Sequence, residues 1–187
     1  RFIMPVVECA DASLIQDGAD IIDYFEQQAL AQGKTTRLPA YPISGLQRVV
    51  SELFSLFGGE GLLRPAMHYR WNFDDSNLEF LKEDFGIALA PAGSDRVTTD
   101  AIFDMASGRM RSAAVSFGVT PESVSLVEAS YAEFLHLFSA HLKTSPYLLG
   151  GRPTIGDYGL IAPLYAHLAR DPYPAQLMRA TASGVSR

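Results

Sequence analysis

The segment Tyr147 to Leu160, YLLGGRPTIGDYGL, constrains the fold more than any other stretch of this chain. Thr154 and Asp157 stand at capping-box spacing, directly before an apolar run. A Thr hydroxyl in that position accepts the N–H of the third helical residue. The Asp carboxylate reaches back to the Thr N–H, so two orphan donors of a helix start are satisfied together. Asp is shorter than the usual Glu or Gln but suits the positive helix end. Pro153 and Tyr158 flank this cap at the staple positions.

Periodicity places the other elements. Residues 3–8 (IMPVVE) read as a short strand containing a proline, and residues 13–16 (SLIQ) as a second strand after a turn at Asp11. Residues 18–31 have helical spacing, with Ile21, Ile22, Phe25 and Ala29 on one face. Residues 33–42 (GKTTRLPAYP) read as a linker. Residues 43–57 carry Leu46, Val49, Val50, Leu53 and Phe57 as an apolar face, and Gly58-Gly59 is expected to stop the run. Residues 95–117 form a long helix candidate through Val97, Ile102, Met105 and Val115, weakened at Gly108. Residues 120–142 give the cleanest pattern, with Thr120 as N-cap candidate and Pro121 at the first helical position. Its broad face is Val124, Val127, Tyr131, Phe134, Leu135, Phe138 and Leu142. The capped helix is expected over 154–169, kinked or short of one hydrogen bond at Pro163, and a final short helix over 174–183. The fold class is α+β, mostly α.

Composition narrows the function classes. A net charge of −6 without any basic run argues against nucleic acid as a partner. No apolar stretch reaches membrane-spanning length, so no membrane partner is expected. Cys9 is the only cysteine, which precludes an internal disulfide and fits a reducing, cytoplasmic setting. A small packed hydrophobe is a commoner role for such a thiol than reactivity. His136 and His141 are five apart and share no ligating face. HExxH and CxxC patterns are absent, so no metal is expected. P-loop, GxGxxG and GxSxG patterns are also absent.

The aromatic–Leu–Leu–Gly–Gly run, the Thr154-x-x-Asp157 box and the apolar helix after it resemble the C-terminal domain of glutathione transferases. A second resemblance lies near residue 1. Met4-Pro5-Val6-Val7 is similar to that family's cis-proline at the start of a thioredoxin-like third strand. Asp17-Gly18-Ala19-Asp20-Ile21-Ile22 is similar to its acidic–Ser–x–Ala–Ile element. The resemblance implies a partial thioredoxin-like βα unit over 1–34, followed by an all-helical glutathione transferase C-terminal bundle over 35–187. It implies glutathione as cosubstrate, held by Met4, Pro5, Asp17 and Gly18. The backbone of Met4 would pair with the cysteinyl main chain. Asp17 would hold the γ-glutamyl amino group, and the helix start at Gly18 would face the γ-glutamyl carboxylate. Gly18 replaces the family's Ser and Asp20 its Ala, so one hydroxyl contact is lost and one negative charge is added. A plain turn and helix start at Asp17-Gly18 is the competing reading.

The family's activating Tyr, Ser or Cys lies earlier in its first domain. The chain opens on Arg1, close to a strand, so it is expected to be part of a longer protein and its catalytic residue stays unknown. The implied activity is attack of the glutathione thiolate on a small-molecule electrophile, by a cytoplasmic homodimer. The alternatives are a non-catalytic binding or scaffold protein on the same fold, and a glutathione-dependent reductase or peroxidase. Residues 62–91 are the least family-like part. There Tyr69 and Arg70 are candidates for the second-substrate pocket. The other reading is a structured insertion whose aromatics cover the bundle and whose charges face water.

Overall fold

The computed structural model describes residues 5–34, 39–182 and 184–185. It is mostly helical, with one small two-stranded sheet. Strands β1 (Val6–Glu8) and β2 (Leu14–Gln16) pair antiparallel, Val7 opposite Ile15. The expected strand over 3–8 is shorter than its sequence span. Pro5 stands before the ladder, where its missing N–H does no harm, and its carbonyl accepts the Asp17 N–H at 3.1 Å. Residues 3 and 4 lie outside the described residues. Helix α1 (Gly18–Ala31) follows as expected, but none of its residues is fully buried and Phe25 is 48% exposed.

The remaining helices are α2 (Gly45–Leu56), α3 (Leu63–Trp71), α4 (Asp74–Leu89), α5 (Arg96–Ser116), α6 (Val124–His141), α7 (Ile155–Pro163) and α8 (Pro172–Thr181). Gly58-Gly59 does not stop α2. The chain continues through a π turn, Phe57–Gly61, almost directly into α3. The glycines there serve close approach instead. A Cβ on Gly58 would overlap the Gly159 backbone, and one on Gly156 would stand 2.8 Å from the Ser51 carbonyl oxygen. Helices α2 and α7 thus cross through small residues, and the Gly156 N–H donates to Ser51 Oγ at 3.0 Å.

That crossing overturns the expected apolar face of α2. Ser51 is buried, whereas Leu46, Val49, Leu53 and Phe57 remain exposed. Helix α5 departs similarly: Phe103, Ser107 and Ala114 are buried, while Val97, Met105 and Val115 face outward. Thr120 and Pro121 form a turn rather than the first residues of α6. Ser123 is the N-cap, and its hydroxyl donates to the Gly118 carbonyl at 2.7 Å. The expected α6 face is otherwise right, with Val127, Tyr131 and Leu135 buried. Helix α7 ends at Pro163 and passes into a second π turn, Leu164–Leu168, which relieves the proline's missing donor.

Two apolar clusters fill the bundle. One gathers Leu62, Tyr69, Tyr131, Leu135, Leu160, Leu168 and Met178; the other gathers Met67, Trp71, Leu81, Phe103 and Val119. Helix α3 contributes to both, and every residue from Pro65 to Trp71 is buried. No helix among the described residues is long and apolar enough to cross a membrane.

Candidate functional site

The cap at α7 is built from one carboxylate. The Thr154–Asp157 capping box forms, and Thr154 is buried. Asp157 Oδ2 accepts the Thr154 N–H at 2.8 Å and the Thr154 hydroxyl at 2.9 Å. Its Oδ1 accepts the Leu148 N–H at 2.9 Å, which ties the Tyr147–Gly150 turn to the helix. The first α7 amide, Ile155 N–H, donates to the Ala40 carbonyl at 2.9 Å. The capped helix therefore anchors the segment that leads from α1 into the bundle.

A cleft of about 820 Å³ opens between the βα unit and the helical part. Pro5, Asp17, Gly18 and Ala19 form one wall; Arg48, Glu52 and Ser55 of α2, with Tyr158, Gly159 and Ala162 of α7, form the other. Three of the sequence-derived glutathione contacts, Pro5, Asp17 and Gly18, are thus brought together at one cavity. The fourth, Met4, lies outside the described residues. Asp17 is the N-cap of α1, its carboxylate accepting the Ala19 N–H at 3.0 Å. Its backbone sits at φ 77°, ψ 138°, a left-handed φ that is uncommon outside glycine. The cap bond and the Pro5–Asp17 bond hold it there, a pattern common at ligand clamps. A Cβ on Gly18 would meet nothing within 4 Å, so the space beside the helix start is open.

The sequence did not single out Tyr41, Asp23, Arg48, Glu52 or Glu60, yet all five line the cleft. Burial first, then a hydrogen bond to Asp23, pushes the Tyr41 phenol up, so it stays protonated and acts as a donor. Arg48 lies over the Tyr41 ring at 4.9 Å and pairs with Glu52 at 2.8 Å. Asp17, Asp23, Glu52 and Glu60 make the cleft rich in carboxylates, with Arg48 the single cation among its described lining residues. Tyr41 falls at the linker's end, and only the fold shows that it turns toward α1.

Tyr69 and Arg70 do not line this cleft. Both are buried in the bundle, so the expectation that the charges of 62–91 face water is corrected for Arg70 and His68. Arg70 grips Asp171 with two bonds of 2.6 and 2.8 Å and also donates to the Ala166 carbonyl. Asp171 is the N-cap of α8, 101 positions away in sequence. Burial, then the charge of Glu128, pushes the Tyr69 phenol up to about 12, which suits a core aromatic and not a base. The Asn72 amide donates to His68 Nδ1 at 2.8 Å, so the His68 Nε2–H donates to Glu128 at 2.8 Å. Asn77 completes the polar core by donating to the Tyr69 carbonyl and accepting the Tyr173 N–H.

Cys9 is half-buried in the turn after β1. No cluster of His, Cys, Asp and Glu among the described residues is arranged to hold a metal ion. No family model, curated protein or solved structure matches this chain.

Proposed function

We propose that this chain is part of a glutathione transferase-like protein that binds glutathione in the cleft and delivers its thiolate to an electrophile. The observation that carries the reading is the meeting of Pro5, Asp17 and the α1 start on one wall of a cavity. The resemblance independently assigns glutathione contacts to those same positions. Their chemistry suits the two ends of a γ-glutamyl group. The α1 N-terminus attracts its carboxylate, and the free lone pairs of Asp17 accept from its ammonium. Among the lining residues no group is assigned as the thiol activator. The proposed form is a cytoplasmic homodimer. Its second substrate takes the remaining cleft toward α2 and α7, not Tyr69 and Arg70.

A second reading, a binding or scaffold module, draws on the carboxylates. Asp23, Glu52 and Glu60 line the same cleft and oppose an anionic ligand. A thermal-shift titration with glutathione separates the two. A ligand that binds only the folded state adds about 2.7 kcal/mol at a hundredfold excess over Kd. The transferase reading expects a saturable shift that weakens in Asp17→Ala and strengthens in Gly18→Ser, which restores a hydroxyl at the helix start. No shift at millimolar glutathione, with the protein folded, supports the binding module instead.

A further inference from the structure

We propose that a second cavity, between α3 and α6 and distinct from the cleft, binds a small apolar carboxylate. The cavity holds about 270 Å³, room for a ligand of single-ring size. Phe57, Leu62, Pro65 and Val127 give it apolar walls. Arg64 is the only charged side chain among its described lining residues, and no carboxylate lines it.

Arg48, Arg70, Arg96, Arg111 and Arg170 are each paired with a carboxylate. Arg64, like Arg109, Arg152 and Arg179, pairs with no carboxylate among the described residues, but it alone of these lines the cavity. Its Nε–H donates to the Phe117 carbonyl at 3.0 Å. That bond fixes the guanidinium plane and leaves the Nη1–Nη2 edge for a planar two-oxygen acceptor. Gly118 makes room for this arrangement. Its φ is 85°, and a Cβ there would stand 3.3 Å from Arg64 Nε. The guanidinium is therefore positioned by the Phe117-Gly118 turn before any ligand arrives.

Tyr131 lines the same cavity with its ring. It is 2% exposed, and its phenol oxygen is buried with no hydrogen-bond partner among the described residues. Desolvation keeps the group protonated, so it remains a donor. A buried donor without a partner destabilises the free protein, and with under 1 Å² of accessible surface the hydroxyl is closed to a ligand in the cavity. The Arg64 guanidinium beside otherwise apolar walls selects an oxygen-bearing anion over a hydrocarbon or a cation.

Titration calorimetry with benzoate tests the site, with benzyl alcohol as the neutral counterpart. The expected result is saturable one-to-one binding of benzoate, at least tenfold weaker in Arg64→Gln and partly kept in Arg64→Lys. Benzyl alcohol should bind at least tenfold more weakly than benzoate. Tyr131→Phe should raise the Tm of the free protein and leave benzoate binding unchanged, because its hydroxyl is closed to the cavity. Asp17→Ala should leave benzoate binding unchanged, because the cleft is a separate site. Arg64 is exposed, so its variants report on binding and not on folding. No benzoate binding at 10 mM would overturn the proposal. So would equal affinity in wild type and Arg64→Gln, or equal affinity for benzoate and benzyl alcohol.

Discussion

Gly159→Ala tests the α2–α7 crossing directly. A Cβ at Gly159 would stand 2.5 Å from Ser55 Cα, 2.8 Å from the Ser55 carbonyl oxygen and 2.9 Å from its Oγ. Ordinary contact begins near 3.4 Å, so the two backbones must part by about 0.9 Å. Overpacking of this kind costs about 1–3 kcal/mol, and the upper end applies where backbone rather than a side-chain tip is struck. Alanine's better helix propensity returns up to about 1 kcal/mol, leaving a net loss of about 2 kcal/mol. Gly108→Ala in α5 is the control. Nothing lies within 4 Å of its Cβ position, so only propensity acts. It should gain about 0.5–1 kcal/mol. Urea and thermal denaturation followed by circular dichroism read both. At about 2–4 °C per kcal/mol, Gly159→Ala should lower Tm by about 4–8 °C and Gly108→Ala should raise it by about 1–4 °C. Shifts of the same sign in both variants, or an unchanged Gly159→Ala, would refute the claim that small residues at the crossing set the packing.

Asp157→Ala removes acceptors for the Thr154 and Leu148 backbone amides together. It should destabilise by about 1–3 kcal/mol in chemical denaturation. Breaking the buried pair with Asp171→Asn should lose about 3–5 kcal/mol, whereas the double variant Arg70→Met/Asp171→Leu should recover much of it in a double-mutant cycle. His167 gives a pH signature. Burial holds its pKa down at about 4, against 6.5 for the free side chain. The unfolded chain therefore binds the extra proton first, and stability is full above about pH 6.5. It should fall by roughly 2–3 kcal/mol as the pH drops toward 4, and His167→Phe should flatten that slope in denaturation series across the window.

Helices α1, α2, α5, α6 and α8 and the α7 cap were legible because each rests on neighbours in sequence, whereas α3 and α4, within 62–91, were not assigned. Thr154 and Asp157 are three positions apart, and the α6 stripe of Val127, Tyr131 and Leu135 follows one period. The α2 face misled because an apolar stripe marks a buried surface only when nothing smaller competes for the neighbour. Ser51, Ser55 and Gly58 bring α7 closer than Leu46 and Leu53 would allow. The buried Arg70 was illegible for another reason. Its partner, Asp171, is remote in sequence, and a lone arginine on a helix gives no sign that it is paired. In the cleft, Asp17 and Gly18 could be named from a local pattern. Tyr41, Arg48 and Glu60 come from separate segments, and only tertiary folding assembles them.

Helix α3 gives the molecule an internal gauge. Its residues Ala66–Trp71 are buried on every side, between both apolar clusters. An amide there meets deuterated solvent only when the clusters separate, which is complete unfolding. Its exchange rate therefore reports the global free energy. The β1–β2 pair and α1 contain no fully buried residue, and their amides exchange through small local openings. A ligand seated in the cleft would slow deuterium uptake at the start of α1 well before it altered α3. One labelling experiment would thus separate a clamp that orders one wall from a ligand that steadies the whole chain.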